Sequence, residues 1–303
     1  MISGVPAHVD GRMVAIAKDA GGRVINADRM WHYTEGVKNW DPIWPAHGIR
    51  ILPGPSAMWF DARGNRLRPP AMPGFDTLAT LREILSTGFD YSWFVMTQKI
   101  LKKEVALSGS EQNPDLASKS WLKVIRHRLL NRQATPAVEA FKRHGEDFVV
   151  ADTLDELIAG MNAKGGGRID AEKLRAQIVA RDSQIDNPFT KDAQLMAVHA
   201  ARAYRGDRLM RTARPHRLLD RENGPLIAIR LNIITRKTLG GLETDLNGQV
   251  MNAQGERIPG LFAAGEVAGF GGGGYHGYNA LEGSFLGGCI FSGRQAGRAD
   301  TIA

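Results

Sequence analysis

Apolar residues recur at helical spacing in several stretches of the chain. Between 13 and 20 they fall on Met13, Val14, Ile16, Ala17 and Ala20, behind Asp10 as a cap and ahead of Gly21-Gly22. That pattern predicts a helix. Leu78, Leu81, Ile84 and Leu85 share one face of a second helix, with Asp76 as its cap and Gly88 as its end. Asn113-Pro114 and Thr135-Pro136 each read as a cap followed by proline at the first helical position. Thr153 followed by Glu156 has the spacing of a capping box, directly after the short apolar strand FVVA (148–151). Further helices are predicted from Asp170 and over 191–205, and the glycines at 165–167 form a loop.

Strand signals fill the rest. RVIN (23–26), IRIL (49–52) and AMWF (57–60) are short β-prone runs, and 61–65 is a turn. The aromatic groups MWHYTEG (with Tyr33), NWDPIW and YSWF read as core packing or cap surface. From Pro225 the texture changes. PLIAIRLNIIT is a continuous apolar run, expected of strands buried on both faces. LGG (239–241) and Asn252–Gly255 read as turns. Strands alternating with helices give an α/β class, and the change of texture places a domain boundary near 222.

Composition narrows this. The chain has 303 residues, 43% hydrophobic and 23% charged, which excludes wholesale disorder and a fibrous fold. The single cysteine, Cys289, excludes an intramolecular disulfide and multi-cysteine metal sites. No N-terminal apolar stretch has signal-peptide form, and no run has membrane-spanning length. A soluble, cytoplasmic protein without metal or membrane partner is expected. The net charge is +7. Arg202, Arg205, Arg208, Arg211, Arg214 and Arg217 recur at every third position, and steps of three drift around a helix rather than line one face. Asp207 and Asp220 offset two of them. A solvated or salt-bridged surface is expected there, with no nucleic-acid partner.

Of the 35 glycines, 17 lie between 240 and 303. Within 257–297, Pro259-Gly260 reads as a turn, LFAA as a short strand, and Gly265-Glu266 as an acid at the strand's carboxyl end. Ligands of open α/β sheets bind at that edge. A glycine-rich loop with Tyr275, His276 and Tyr278 follows. Gly283-Ser284 then opens a helix with Phe285, Leu286, Cys289 and Ile290 on apolar positions and Gly287, Gly288, Gly293 and Gly297 keeping it thin. The run from Gly269 to Gly274 satisfies GxGxxG, but no helix starts there and position 294 is an arginine, so it is not a dinucleotide fingerprint.

GERIPGLFAAGEVAG (255–269), the glycine-rich aromatic loop, the segment FSGRQAG (291–297) and TLGGLETD (238–245) resemble the fumarate reductase/3-ketosteroid dehydrogenase superfamily of FAD flavoproteins, in particular its "FAD-binding dehydrogenase" members. The opening helix and GPSAMWFDARGNRL (54–67) are similar to the same family, more diffusely. The resemblance implies FAD as cofactor, with Glu266 on the ribityl hydroxyls, Gly265 and Gly274 close to the flavin, and the helix opening at Gly283, Ser284 and Phe285 aimed at the ring's pyrimidine edge. It implies Tyr275 as the carbonyl-polarising residue, with Lys237 and His276 as further catalytic candidates. Three departures qualify it. HGYNA puts Ala280 where fumarate reductases carry an arginine, and Arg236-Lys237 stands where they carry two histidines. Tyr275 to Asn279 lacks the second glycine of the ketosteroid dehydrogenase motif.

The superfamily's N-terminal βαβ unit is not found in this sequence. The resemblance therefore implies the C-terminal part of a split, glutathione-reductase-like FAD-binding domain plus an α+β cap. Residues 1–30 would be a residual FAD-domain segment, 31–222 the cap or substrate domain, and 223–303 the returning FAD-domain segment. The expected activity is hydride transfer between flavin and a C–C bond beside a carbonyl, on a steroid-like or other enone or ketone substrate. The alternative is a truncated, non-catalytic remnant or half of a split flavoprotein that needs a partner chain, in which case the chain alone is inactive.

Overall fold

The computed structural model describes residues 1–109, 112–114, 118, 120, 122, 133–269 and 285–299. In chain order the strands are β1 (Ile2–Ser3), β2 (Val24–Ile25), β3 (Met30–Lys38), β4 (Gly48–Leu52), β5 (Met58–Asp61), β6 (Tyr91–Thr97), β7 (Ala106–Leu107), β8 (Phe148–Ala151), β9 (Leu226–Thr238), β10 (Gly241–Leu242), β11 (Gln249–Met251) and β12 (Arg257–Phe262). The α-helices among the described residues are α1 (Arg12–Asp19), α2 (Thr77–Ser86), α3 (Gln98–Glu104), α4 (Pro136–His144), α5 (Leu154–Gly165), α6 (Ala171–Ser183), α7 (Ala193–Ala203), α8 (Arg205–Met210) and α9 (Phe285–Ala296).

Helices begin where short polar side chains can take an orphan backbone N–H. Asp76 accepts from Ala79, Asp170 from Lys173 and Asp192 from Leu195. Thr153 and Glu156 close a full capping box at α5. The first helix differs from expectation. Its cap is Gly11, with no side-chain bond, because Asp10 turns to the backbone and guanidinium of Arg12 instead. The helix expected after Asn113 lies almost wholly outside the described residues.

The chain forms two compact units, residues 1–4 with 33–234, and residues 5–32 with 235–303. The larger unit is built on an eight-stranded sheet with the path β5-β6-β9-β3-β4-β7, with β1 and β8 also paired to β9. The run PLIAIRLNIIT is one long strand rather than several. Leu226 to Asn232 pairs antiparallel with β6, and Leu226 to Ile229 also pairs with β8. These pairings hold 226–234 in the larger unit, and the two compact units meet in the chain at 234/235. Two aromatic groups that sequence reading treated only as packing are strands. MWHYTEG begins β3, and YSWF begins β6, all seven residues of which are buried.

One buried carboxylate ties three segments of this unit together. Glu104, at the end of α3, accepts the N–H and the hydroxyl of Ser56 at 2.8 and 2.6 Å and the N–H of Ala213 at 2.7 Å. Burial pushes its pKa up, against the pull of these donors and of Arg181. A second buried acid, Glu35 of β3, faces Arg50 of β4 at 3.8 Å. The Arg50 guanidinium lies 3.5 Å from the centre of the Tyr33 ring. Burial raises the Glu35 pKa more than Arg50 lowers it.

The smaller unit has a core of Ala17, Leu242, Val250 and Ala263, packed by Val24, Ile258, Leu261, Val267 and Ala268. β2 pairs with β10, and β11 with β12, both antiparallel. Pro259-Gly260 is not a turn. β12 runs through it, because in a two-stranded ribbon a proline without an N–H can sit on the open edge. The TLGG motif is a close backbone approach. A Cβ on Gly241 would lie 2.3 Å from the nitrogen of Gly269 and 2.5 Å from the carbonyl of Val267.

Three stability predictions follow from these contacts. Glu104→Gln leaves one of three donors facing an N–H and costs about 1–3 kcal/mol in urea unfolding at pH 7. Gly241→Ala drives a methyl into backbone that cannot rotate away. It costs about 1–3 kcal/mol or more, read as a lower urea midpoint. Glu35 has a folded pKa above its ordinary value of 4.5. Between those values the folded state holds a proton that the unfolded state has lost, so Glu35 contributes stability that is lost as pH rises through this window. Glu35→Gln removes that fall, and a pH series of urea midpoints should show the variant gaining on the parent as pH rises.

Candidate functional site

The acid singled out at the carboxyl end of a strand lies in the smaller unit. After β12 the chain turns at Gly265 and passes through a 3₁₀ turn over 265–267 that carries Glu266. Gly265 has φ +71°, and a Cβ there would also crowd the Cys289 sulfur at 3.3 Å. Both demands select glycine. The Gly265 N–H donates to the Ser292 hydroxyl at 2.9 Å, and that hydroxyl donates back to the Gly288 carbonyl at 2.8 Å. The turn is thereby fastened to one face of α9.

Glu266 is half-buried, and its Oε1 accepts the Thr238 N–H at 3.0 Å. Among the described residues Oε2 carries no hydrogen bond. One oxygen is thus held by backbone while the other stays available as an acceptor. That free acceptor fits a ligand rich in hydroxyls, as a flavin side chain is.

A second cluster gathers around the start of α9. The Lys237 ammonium lies 3.5 Å from the Phe285 ring centre and 5.1 Å from that of Trp31. The two rings meet edge to face at 6.0 Å. Such packing sets the ammonium against an aromatic wall. His32 follows Trp31 in β3, and its buried Nδ1 has no partner among the described residues. Burial lowers the His32 pKa, which favours the neutral ring.

Of the expected site residues, the structure therefore brings Lys237 to Phe285, and fastens Gly265, beside Glu266, to α9. Gly274, Tyr275, His276, Gly283 and Ser284 lie outside the described residues. Sequence reading gave no role to Trp31, Thr238 or Ser292. Ser292 had a signal in hindsight, since it stands one helical step from Cys289 on the same face. The other two are joined to their partners only by the fold. Among the described residues no group of three or more His, Cys, Asp or Glu is arranged to hold a metal, and no helix is long and apolar enough to cross a membrane.

The outward face of α9 departs from expectation. Leu286, Ile290 and Phe291 are 70%, 62% and 63% exposed, although two of them occupy positions read as packing ones. Cys289 and Ser292 face the Gly265 turn instead, and the bond from Gly265 fixes that orientation.

A KsdD-like steroid dehydrogenase of Mycobacterium tuberculosis is 58% identical over 299 residues, covering 98% of this chain and 53% of the relative. The chain thus spans about half the length of the curated relatives it matches. The fold is like that of a 3-ketosteroid Δ1-dehydrogenase from Sterolibacterium denitrificans solved with 1,4-androstadiene-3,17-dione, at TM-score 0.61 and 19% identity over 97% of this chain and 47% of that one. It is also like the open conformation of a flavocytochrome c3 fumarate reductase, at TM-score 0.56 and 19% identity over 98% of this chain and 41% of that one. Residues 1–286 match the FAD binding domain family. The chain belongs to that family, whose cofactor is FAD.

Proposed function

We propose that this chain is part of an FAD-dependent oxidoreductase of ketosteroid-dehydrogenase type, acting on a C–C bond beside the carbonyl of a steroid-like ketone. Residues 5–32 and 235–303 would supply the returning part of a split FAD-binding domain, and 33–234 the substrate domain. The observation that carries the reading is Glu266, a half-buried strand-end carboxylate with one oxygen fixed by the Thr238 N–H and the other available. The 58% identity to a KsdD-like steroid dehydrogenase supports the substrate class.

When bound, FAD supplies the two-electron partner for oxidation or reduction of the C–C bond. The protein's part is to hold and polarise. Glu266 would accept hydrogen bonds from the ribityl hydroxyls. The Gly265 turn, fastened by Ser292, lets backbone come close to the cofactor, with Gly274 in the same role further on. Gly283 and Ser284, ahead of Phe285 at the start of α9, would offer backbone N–H groups to the flavin's pyrimidine edge. The Lys237 ammonium, held over Phe285, adds fixed positive charge near that end. Tyr275 would donate a hydrogen bond to the substrate carbonyl, which would acidify the neighbouring C–H, and His276 would move a proton.

A second reading is favoured by one observation, the exposed apolar face of α9 formed by Leu286, Ile290 and Phe291. A domain helix normally buries such a face. The chain would then be half of a flavoprotein, incompetent until further polypeptide covers that face.

Titration of the full chain with FAD, followed by flavin fluorescence and absorbance, tests both. Under the first reading FAD binds stoichiometrically and Glu266→Ala weakens binding about tenfold or more, the worth of a charge-assisted hydrogen bond. Equal affinity of parent and variant would remove Glu266 from the site. Absence of binding by a folded chain would favour the second reading. A bound flavin that a 3-ketosteroid cannot reduce anaerobically, nor reoxidise once reduced, would remove the substrate assignment alone.

A further inference from the structure

The arginine repeat at 202–217 is not absorbed by any flavin chemistry, and the structure resolves it into two classes. Two members are committed. Arg202 donates to the Thr212 carbonyl at 2.7 Å, and Arg217 pairs with Asp186 at 2.8 Å. Arg205, Arg208, Arg211 and Arg214 are exposed, and none has an ion pair or side-chain hydrogen bond among the described residues. Asp207 is the one acid in 202–217, and it is half-buried. Lys103 lies against the same segment, donating to the Leu209 carbonyl. Its pKa is lowered first by burial and then by Lys102 and Arg202, which marks a local excess of positive charge.

Apolar side chains stand among these cations. Tyr204, Leu209 and Met210 are 69%, 52% and 41% exposed, and Met196 of α7 is 53% exposed. α7 explains why. Leu195 and Val198 take its buried face, leaving Met196, His199, Ala200 and Ala203 outward. α8 contacts α7 and buries none of its own residues. Beyond it the chain is pinned back by Thr212 and Ala213, both buried, the latter through Glu104. The result is an anchored strap whose outer side mixes free arginines with aliphatic and aromatic groups.

We propose that this strap, Tyr204 to Arg214 with Met196, is a docking surface for an anionic phospholipid bilayer. A bilayer interface offers both things the strap lacks. Phosphate and carboxylate headgroups match the four free arginines, and the acyl boundary takes Leu209, Met210 and the Tyr204 ring. A nucleic acid would satisfy the arginines alone and leave the aliphatic side chains in water. Attachment is peripheral, because the segment is far too short to span.

The test is cosedimentation of the full chain with vesicles of phosphatidylcholine alone or doped with phosphatidylserine. Binding is expected only with phosphatidylserine and should weaken as salt rises. Arg208→Ala with Arg211→Ala should lower the partition coefficient about 25-fold, at about fivefold per arginine. Leu209→Ser with Met210→Ser should also lower it, at unchanged charge. Removing Arg82 and Arg143, exposed cations elsewhere, should leave it close to the parent. Circular dichroism checks that each variant is folded. No sedimentation with phosphatidylserine overturns the proposal. So does an equal loss in the Arg82→Ala, Arg143→Ala variant, which would mean net charge alone. Retention by duplex DNA without vesicle binding overturns it in favour of a nucleic-acid partner.

Discussion

The larger unit depends on β9 having partners along both edges. A thirteen-residue strand buried over most of its length must satisfy every backbone N–H and C=O without water. Here β6 takes one edge, and β8 followed by β3 takes the other. Both faces are then free to be apolar, and the run from Leu226 to Ile229 is buried throughout. The helices α4, α5 and α6 contribute Val138, Phe141, Leu157, Met161, Leu174 and Ile178 to the core the sheet shares. Asp147 enters this interior tied down by the Lys38 N–H and Asn232.

Helix starts were legible because their signal is local. A cap and its target lie three residues apart, so Asp76, Thr153 and Asp170 could be read directly. Strands buried on both faces were less legible. YSWFVMT has no alternation to show that it is a strand, and only its pairing with β5 and β9 makes it one. The division of the chain at 234/235 follows from the same pairing and has no local mark.

The candidate site divides in a similar way. Glu266 was visible as an acid ending an apolar run, and its glycine neighbour follows from the turn it must make. What holds the pair in place was not visible. Thr238 is 28 residues from Glu266 and Ser292 is 27 from Gly265, and neither spacing carries a pattern. Of the apolar positions read on the helix after the glycine-rich loop, Phe285 and Cys289 are half-buried and Leu286 and Ile290 are exposed, because apolar residues occupy both sides of it. Only the bond from Gly265 to Ser292 decides between them. The arginine repeat was read as a surface from its drift around a helix. The structure adds that four of its members are unpaired among the described residues and that apolar groups lie among them.

The Glu104 knot gives two loop amides an unusual history. Ser56 and Ala213 sit in irregular segments, where exchange with solvent deuterium is ordinarily fast. Each N–H is instead held by the same buried carboxylate. Releasing either one means exposing a charged or protonated acid together with the end of α3, which is close to opening the unit itself. These two amides should retain their protons nearly as long as those in β9, and so report global opening from positions where local fraying would be expected.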